Sequence, residues 1–143
     1  MKTNSKQKIA IQGGFGAFHE IAAMEYFEND EIEIVPRNTF NDLFSALKNG
    51  LVDFGITAIE NSLAGSIHRN YDLMQRHKIP IQGEYHFRVS HCLQVLPGVG
   101  LEQVRHVHSH PQALAQCEGR LREMDLEPIV EIDTAGSARL IKE

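Results

Sequence analysis

Glu60, Asn61, Ser62, Gly65 and Ser66 fall within one short run, E-N-S-L-A-G-S. A carboxylate, a side-chain amide and two hydroxyls lie there beside a glycine that lets a ligand approach the backbone, so the chemistry on offer is the holding of an anion. Val52, Phe54, Ile56 and Ile59 before it are apolar enough for a strand buried on both faces. The run is therefore expected to pass from strand into helix, with the helix's unpaired N–H groups aimed at the bound group.

Three further junctions repeat this chemistry: Gly13 to Phe18, with Gly16 between them; Ser109 to Gln112, through His110; and Asp133 to Ser137, through Thr134 and Ala135. A parallel sheet sets such junctions along one edge, and two sets facing each other across a hinge would make an anion-binding cleft. The alternative is ordinary helix capping by Asn61, Ser62, Ser109 and Thr134. Glu20, Glu60 and Asp133 are the carboxylates nearest the junctions and the candidates for acid or base work. Glu60 is expected to anchor its loop by accepting backbone hydrogen bonds.

Other chemistries fit less well. After Gly14 and Gly16 a dinucleotide fingerprint needs a third glycine where His19 stands, and no Gly-Lys-Ser/Thr follows. His106, His108 and His110 alternate, so in a strand they share a face, but strand geometry opposes their convergence on one ion and no carboxylate or cysteine adjoins them in sequence. No metal or other cofactor is expected. Cys92 and Cys117 read as free buried thiols.

The elements that must position these residues alternate strand and helix, which points to an α/β fold with a largely parallel sheet. Strands are expected at residues 8–12, at Ile32 and Ile34 up to Pro36, in the run before Glu60, from Val104 to His108 and from Ile129 to Ile132. Helices are expected from near Ala17, over Phe40, Leu43, Phe44 and Leu47 with Thr39 as cap and Gly50 as stop, over Ile67, Tyr71 and Met74, from Leu114 to Met124, and from Ala135 to Ile141. Residues 79–96 show no helical periodicity and read as an extended, hinge-crossing passage. The organisation expected is a first lobe at 1–78, the crossing segment at 79–97, and a second lobe at 98–143 that is incomplete, having two strands and a helix that stops without a C-cap.

With 143 residues, 42% hydrophobic and 23% charged, and a formal charge of -5, the composition is that of a soluble globular protein. The basic residues are scattered, which argues against nucleic acid. The polar start M-K-T-N-S-K-Q lacks the apolar core of a secretory signal, and no apolar run reaches membrane-spanning length. A cytoplasmic location is expected.

Five segments, in this order, resemble the catalytic domain of the prephenate dehydratases over nearly the whole chain: G-G-F-G-A-F-H-E-I-A-A, F-N-D-L-F-S-A-L-K-N-G, D-F-G-I-T-A-I-E-N-S-L-A-G-S-I, S-H-P-Q-A-L-A-Q-C and D-T-A-G-S-A. The resemblance implies a two-lobed fold of the type II periplasmic-binding-protein kind, its second lobe cut short here, with substrate in the cleft. It implies conversion of the dicarboxylate prephenate to phenylpyruvate, water and carbon dioxide in phenylalanine biosynthesis, with no cofactor, because the ring itself takes up the electrons released by decarboxylation. Asn61, Ser62, Gly65 and Ser66 would orient substrate together with Ser109, His110, Gln112, Thr134, Ala135 and Ser137, while Gly13, Gly16, Phe18 and Glu60 shape the cleft. Ala58 stands where the family usually has Pro, and Ala17 where Thr or Ser commonly follows the glycine turn.

The family's proposed proton donor, the Thr of a Thr-Arg-Phe motif, has no counterpart among these residues. It is expected beyond Glu143, as is the phenylalanine-sensing ACT domain, so these residues alone are expected to turn over little or no substrate. An arogenate dehydratase and a non-catalytic carboxylate-binding module are the alternatives, and a homodimer is left open.

Overall fold

The computed structural model describes residues 6–28 and 31–142. The polar start before Lys6, and Glu143, at which the last helix was expected to stop, lie outside the described residues. The chain divides into two units, Met1–Arg88 and Val89–Glu143. The division falls inside the passage that the sequence suggested would run as one extended strand.

In the first unit, β1 (Gln7–Gln12), β2 (Ile32–Arg37) and β3 (Phe54–Ile56) form a parallel sheet in the order β2-β1-β3. Ile9, Ala10 and Ile11 on the central strand are all fully buried, because helices cover both faces. The strand's two-residue period sends Ile9 and Ile11 to one face, where Ala23 of α1 (Phe18–Tyr26) packs with Phe27, Ile34 and Phe54. Ala10 points to the other, into a cluster of Leu43, Phe44 and Ala46 from α2 (Phe40–Lys48), Val52, and Leu73 from α3 (His68–His77). Ala10 pairs in register with Gly55, and a Cβ at Gly55 would stand 2.9 Å from Leu47 Cδ1. That small pair lets α2 lie close on the sheet.

The α2 helix forms as its periodicity suggested. Thr39 Oγ1 accepts the Asp42 N–H at 3.1 Å and donates to the Asp42 carboxylate at 2.7 Å, and Gly50 takes a positive φ of 65° beyond the last turn. Thr39→Ala leaves that amide without its cap and should lower the stability of the first unit by about 1 kcal/mol, read from urea unfolding followed by circular dichroism.

The second unit is built on β6 (His106–Ser109) and β7 (Glu127–Val130), a parallel pair joined by α4 (Pro111–Glu123). Leu114, Leu121 and Leu126 form its core with Val104, Val107, Cys117 and Met124. Asp125, at φ 52°, ends α4 and turns the chain so that the Leu126 N–H meets the Leu121 carbonyl. The last helix, α5 (Thr134–Leu140), lies against β6.

Three sequence expectations need correction. Residues 79–96, read as extended and hinge-crossing, pair with none of the described strands. The strand expected at Ile129 to Ile132 runs instead over Glu127–Val130, because β6 supplies partners only to that stretch and leaves Ile132 90% exposed. Cys92 is exposed rather than buried, since it lies on the unpaired segment, while Cys117 is half-buried on α4; both are free thiols.

Candidate functional site

The E-N-S-L-A-G-S run does not open a helix. Its residues fold into a two-stranded antiparallel hairpin, β4 (Glu60–Asn61) against β5 (Gly65–Ser66), and α3 starts only at His68. The reason is local: Asn61 Oδ1 accepts the N–H groups of both Leu63 and Ala64 at 2.9 Å, closing the turn, and Gly65 adopts a φ of 78° that side chains disfavour. The backbone amides that were expected at a helix start are thus partly committed to Asn61. Ile67 N–H to Ile59 carbonyl, at 2.9 Å, closes the base of the hairpin.

Glu60 does not accept backbone hydrogen bonds as expected. It is exposed, and its carboxylate accepts the Ser66 hydroxyl across the hairpin at 3.1 Å, because antiparallel pairing puts the two residues directly opposite. Ser62 is exposed at the tip, and the Asn61 amide nitrogen makes no hydrogen bond among the described residues. The hairpin therefore presents the Asn61 amide nitrogen and the Ser62 hydroxyl on a turn whose shape is already set, while the Ser66 hydroxyl is committed to Glu60.

The glycine turn lies alongside, since β1 and β3 are adjacent parallel strands and both junctions leave from their C-terminal ends. Gly13 takes a φ of 100° and donates its N–H to the Arg37 carbonyl, and the Gly16 N–H is taken by the Glu20 carboxylate reaching back from the first turn of α1. The N-cap Ala17 itself has no side chain that could cap the helix. Phe18 packs its ring against Phe87 at 5.9 Å between centroids.

In the second unit the ends of β6 and β7 likewise lie side by side. His110 caps α4 by accepting the Gln112 N–H on Nδ1 at 3.2 Å, with Pro111 in the first helical position. Asp133 caps α5 by accepting the Gly136 N–H, so the caps are His110 and Asp133 rather than Ser109 and Thr134, which lie one residue to either side. The Ser137 hydroxyl, nearly buried, donates to the Asp133 carbonyl at 2.7 Å. Thr134 and Ala135 form the half-buried first turn of α5.

The alternating histidines separate. His106 and His108 share a face of β6, while His110 lies beyond the strand as a cap. Carboxylates remote in sequence come beside the first two: Glu127 at 3.3 Å from His106 and Glu131 at 2.9 Å from His108. Among the described residues no three His, Cys, Asp or Glu side chains are grouped to hold a metal ion.

Two residues of the first unit were not singled out by the sequence. Asn70, fully buried on α3, donates its amide to the Ala58 carbonyl at 2.7 Å; its signal was a polar residue on the apolar stripe shared with Leu73 and Met74. His19 accepts the Ala58 N–H on Nε2 at 3.3 Å and meets the edge of the Phe40 ring at 5.7 Å. Burial pushes its pKa below the ordinary 6.5, and a hydrogen bond to the Gln12 backbone opposes this.

His19 thus binds a proton less readily in the folded state than when unfolded. Its contribution to stability is complete above about pH 6.5 and is lost as the pH falls from there toward the lower folded value. The urea midpoint of the first unit should accordingly drop through this window in the parent protein, and less steeply in His19→Phe.

A family model described as prephenate dehydratase matches residues 9–143. The chain is 46% identical over 141 residues to arogenate dehydratase/prephenate dehydratase 2, chloroplastic, of Arabidopsis thaliana, which covers 99% of this chain and 36% of that protein. It is 46% identical over 137 residues to arogenate dehydratase 2 of Petunia hybrida, covering 96% and 34%. The chain thus spans about a third of the length of these curated relatives.

Among solved structures, one described as GqqA, a novel type of quorum quenching acylases, matches with a TM-score of 0.83 at 36% identity over 95% of this chain and 49% of the other. The prephenate dehydratase of Arthrobacter aurescens in complex with L-Phe matches with a TM-score of 0.72 over 95% of this chain and 45% of that one, and at 21% identity it shows the α/β fold alone.

Proposed function

The chain belongs to the prephenate dehydratase family, and on that premise we propose that it carries substrate-holding residues of a lyase that converts prephenate to phenylpyruvate in phenylalanine biosynthesis. The observation that carries this reading is the Asn61–Ser66 hairpin, a turn set in advance by Asn61 Oδ1 that leaves the Asn61 amide nitrogen and the Ser62 hydroxyl uncommitted among the described residues. A substrate with two carboxylates needs such donors, and preorganised ones cost little reorganisation when it binds.

In the reaction the bond from the ring to its carboxylate breaks and carbon dioxide leaves. The electron pair enters the ring as the C–O bond to the ring hydroxyl breaks, and a proton supplied to that oxygen completes water. The ring becomes aromatic without any net oxidation or reduction. Asn61, Ser62, Gly65 and Ser66 orient the substrate in this reading, with Ser109, His110, Gln112, Thr134, Ala135 and Ser137 contributed by the second unit. The proton comes from a group other than these. Gly13, Gly16, Phe18 and Glu60 shape the surroundings. The finer fold reading, a type II periplasmic-binding-protein-like pair of lobes, is supported by the separate parallel sheet in each unit.

The relatives named for arogenate make that substrate the second reading, since it shares the ring and its carboxylate and differs by an amine in the side chain. The test is turnover by the full-length protein: release of phenylpyruvate from prephenate, and of phenylalanine from arogenate, measured side by side. Faster turnover of arogenate would move the substrate; calorimetric binding of prephenate without turnover of either would replace the enzyme with a carboxylate-binding module. A cytoplasmic location and a homodimer belong to the same proposal, checked by fractionation and by sedimentation of the full-length protein.

A further inference from the structure

Both backbone polar groups of Ala58 are held by side chains remote in sequence. Its N–H donates to His19 Nε2 at 3.3 Å, from α1, and its carbonyl accepts from the buried Asn70 Nδ2 at 2.7 Å, from α3. Since Nε2 accepts, the ring proton sits on Nδ1, and that is the atom available to donate to the Gln12 backbone at the end of β1. The edge-on Phe40 ring of α2, at 81° to the imidazole, fixes the plane.

One residue beyond Ala58, the Ile59 carbonyl closes the base of the hairpin against Ile67, and the Glu60–Ser66 and Asn61–Gly65 pairs follow. We propose that His19 is a positioning residue: with Asn70 it clamps the Ala58 backbone and thereby sets the position of the Asn61–Ser66 hairpin relative to the sheet. This role rests on the proposed reading of the hairpin as substrate-facing.

Only neutral imidazole can do this. A proton on Nε2 would set N–H against N–H at Ala58 and open the clamp. The groups packed on the ring from other elements, the Gln12 backbone, the Phe40 ring and the Ala58 amide, carry no charge. On its own helix the neighbouring Glu20 carboxylate is turned to the Gly16 N–H, and on α2 the Asp42 carboxylate is taken by the Thr39 hydroxyl.

The experiment uses the full-length protein with His19→Phe, which keeps a ring of similar size and loses the acceptor, and His19→Gln, whose amide oxygen restores one. Amide hydrogen exchange is followed at Ala58, Leu63 and Ala64 and, as a reference, at Ala10 in the central strand. In His19→Phe, exchange at Ala58 should rise about tenfold, the cost of one hydrogen bond, while Ala10 is unchanged. KM for prephenate should rise about three- to tenfold with kcat altered less, and His19→Gln should recover most of both effects.

Unchanged exchange at Ala58 in His19→Phe would overturn the clamp whatever the protein's activity. Exchange raised at Ala58 with KM unmoved would overturn its positioning role. If the parent protein turns over neither substrate, the function reading fails and the exchange data still decide the clamp.

Discussion

Asn61→Ala in the full-length protein should lower kcat/KM for prephenate by about 100-fold. Two losses combine. The turn amides of Leu63 and Ala64 give up their shared acceptor at 2.9 Å, so the hairpin no longer holds one shape, and the uncommitted amide nitrogen disappears. A hydrogen bond to a charged group contributes about 1.5–3 kcal/mol, which alone accounts for one to two decades.

Asn61→Asp separates the two. Its carboxylate can still accept from both turn amides, so the fold of the hairpin survives, but it sets a negative charge where a dicarboxylate is proposed to bind. Asn61→Asp should therefore be at least as impaired as Asn61→Ala, with the loss mainly in KM. An aspartate variant near parental activity would reduce Asn61 to a purely structural turn residue and remove the hairpin from the substrate site.

Phe44→Ala should destabilise the first unit by about 3–5 kcal/mol. The ring is 1% exposed, lies among Ala10, Leu43, Ala46, Val52 and Leu73, and stacks on His77 at 6.2 Å, so its removal opens a cavity with walls on the sheet and on two helices. Domain stabilities are about 5–15 kcal/mol, and a loss of this size is more than half of one at the lower end. Phe44→Leu keeps most of the apolar volume and should cost clearly less. Urea unfolding, with amide exchange at Ala10 as a local reporter, measures both. A cost below about 1 kcal/mol for the alanine variant would mean that α2 does not close over this face.

The helices were legible where one face of a periodic segment had to be buried. Phe40, Leu43, Phe44 and Leu47 at helical spacing, between Thr39 and Gly50, are enough to set α2, because capping and amphipathicity are both local. The apolar run at residues 8–12 likewise announced a strand, and only the sheet order made it the central one. The family was also legible, since the order of the E-N-S-L-A-G-S and S-H-P-Q-A-L segments depends on no coordinates.

What the chain alone determined, then, is the five described helices and the parallel strands they alternate with, and the polar residues at the junctions between them. Tertiary structure decided how those residues are used. The hairpin at Glu60 to Ser66 arises because Asn61 finds two amides of its own turn, a choice that competes with helix initiation within a few residues and is not resolved by composition. The Ala58 clamp joins three helices and a strand end, and His106 and His108 meet their carboxylates only because β7 pairs with β6 in one register. The last two are contacts between residues remote in sequence, and such contacts exist only after packing has brought the strands and helices together.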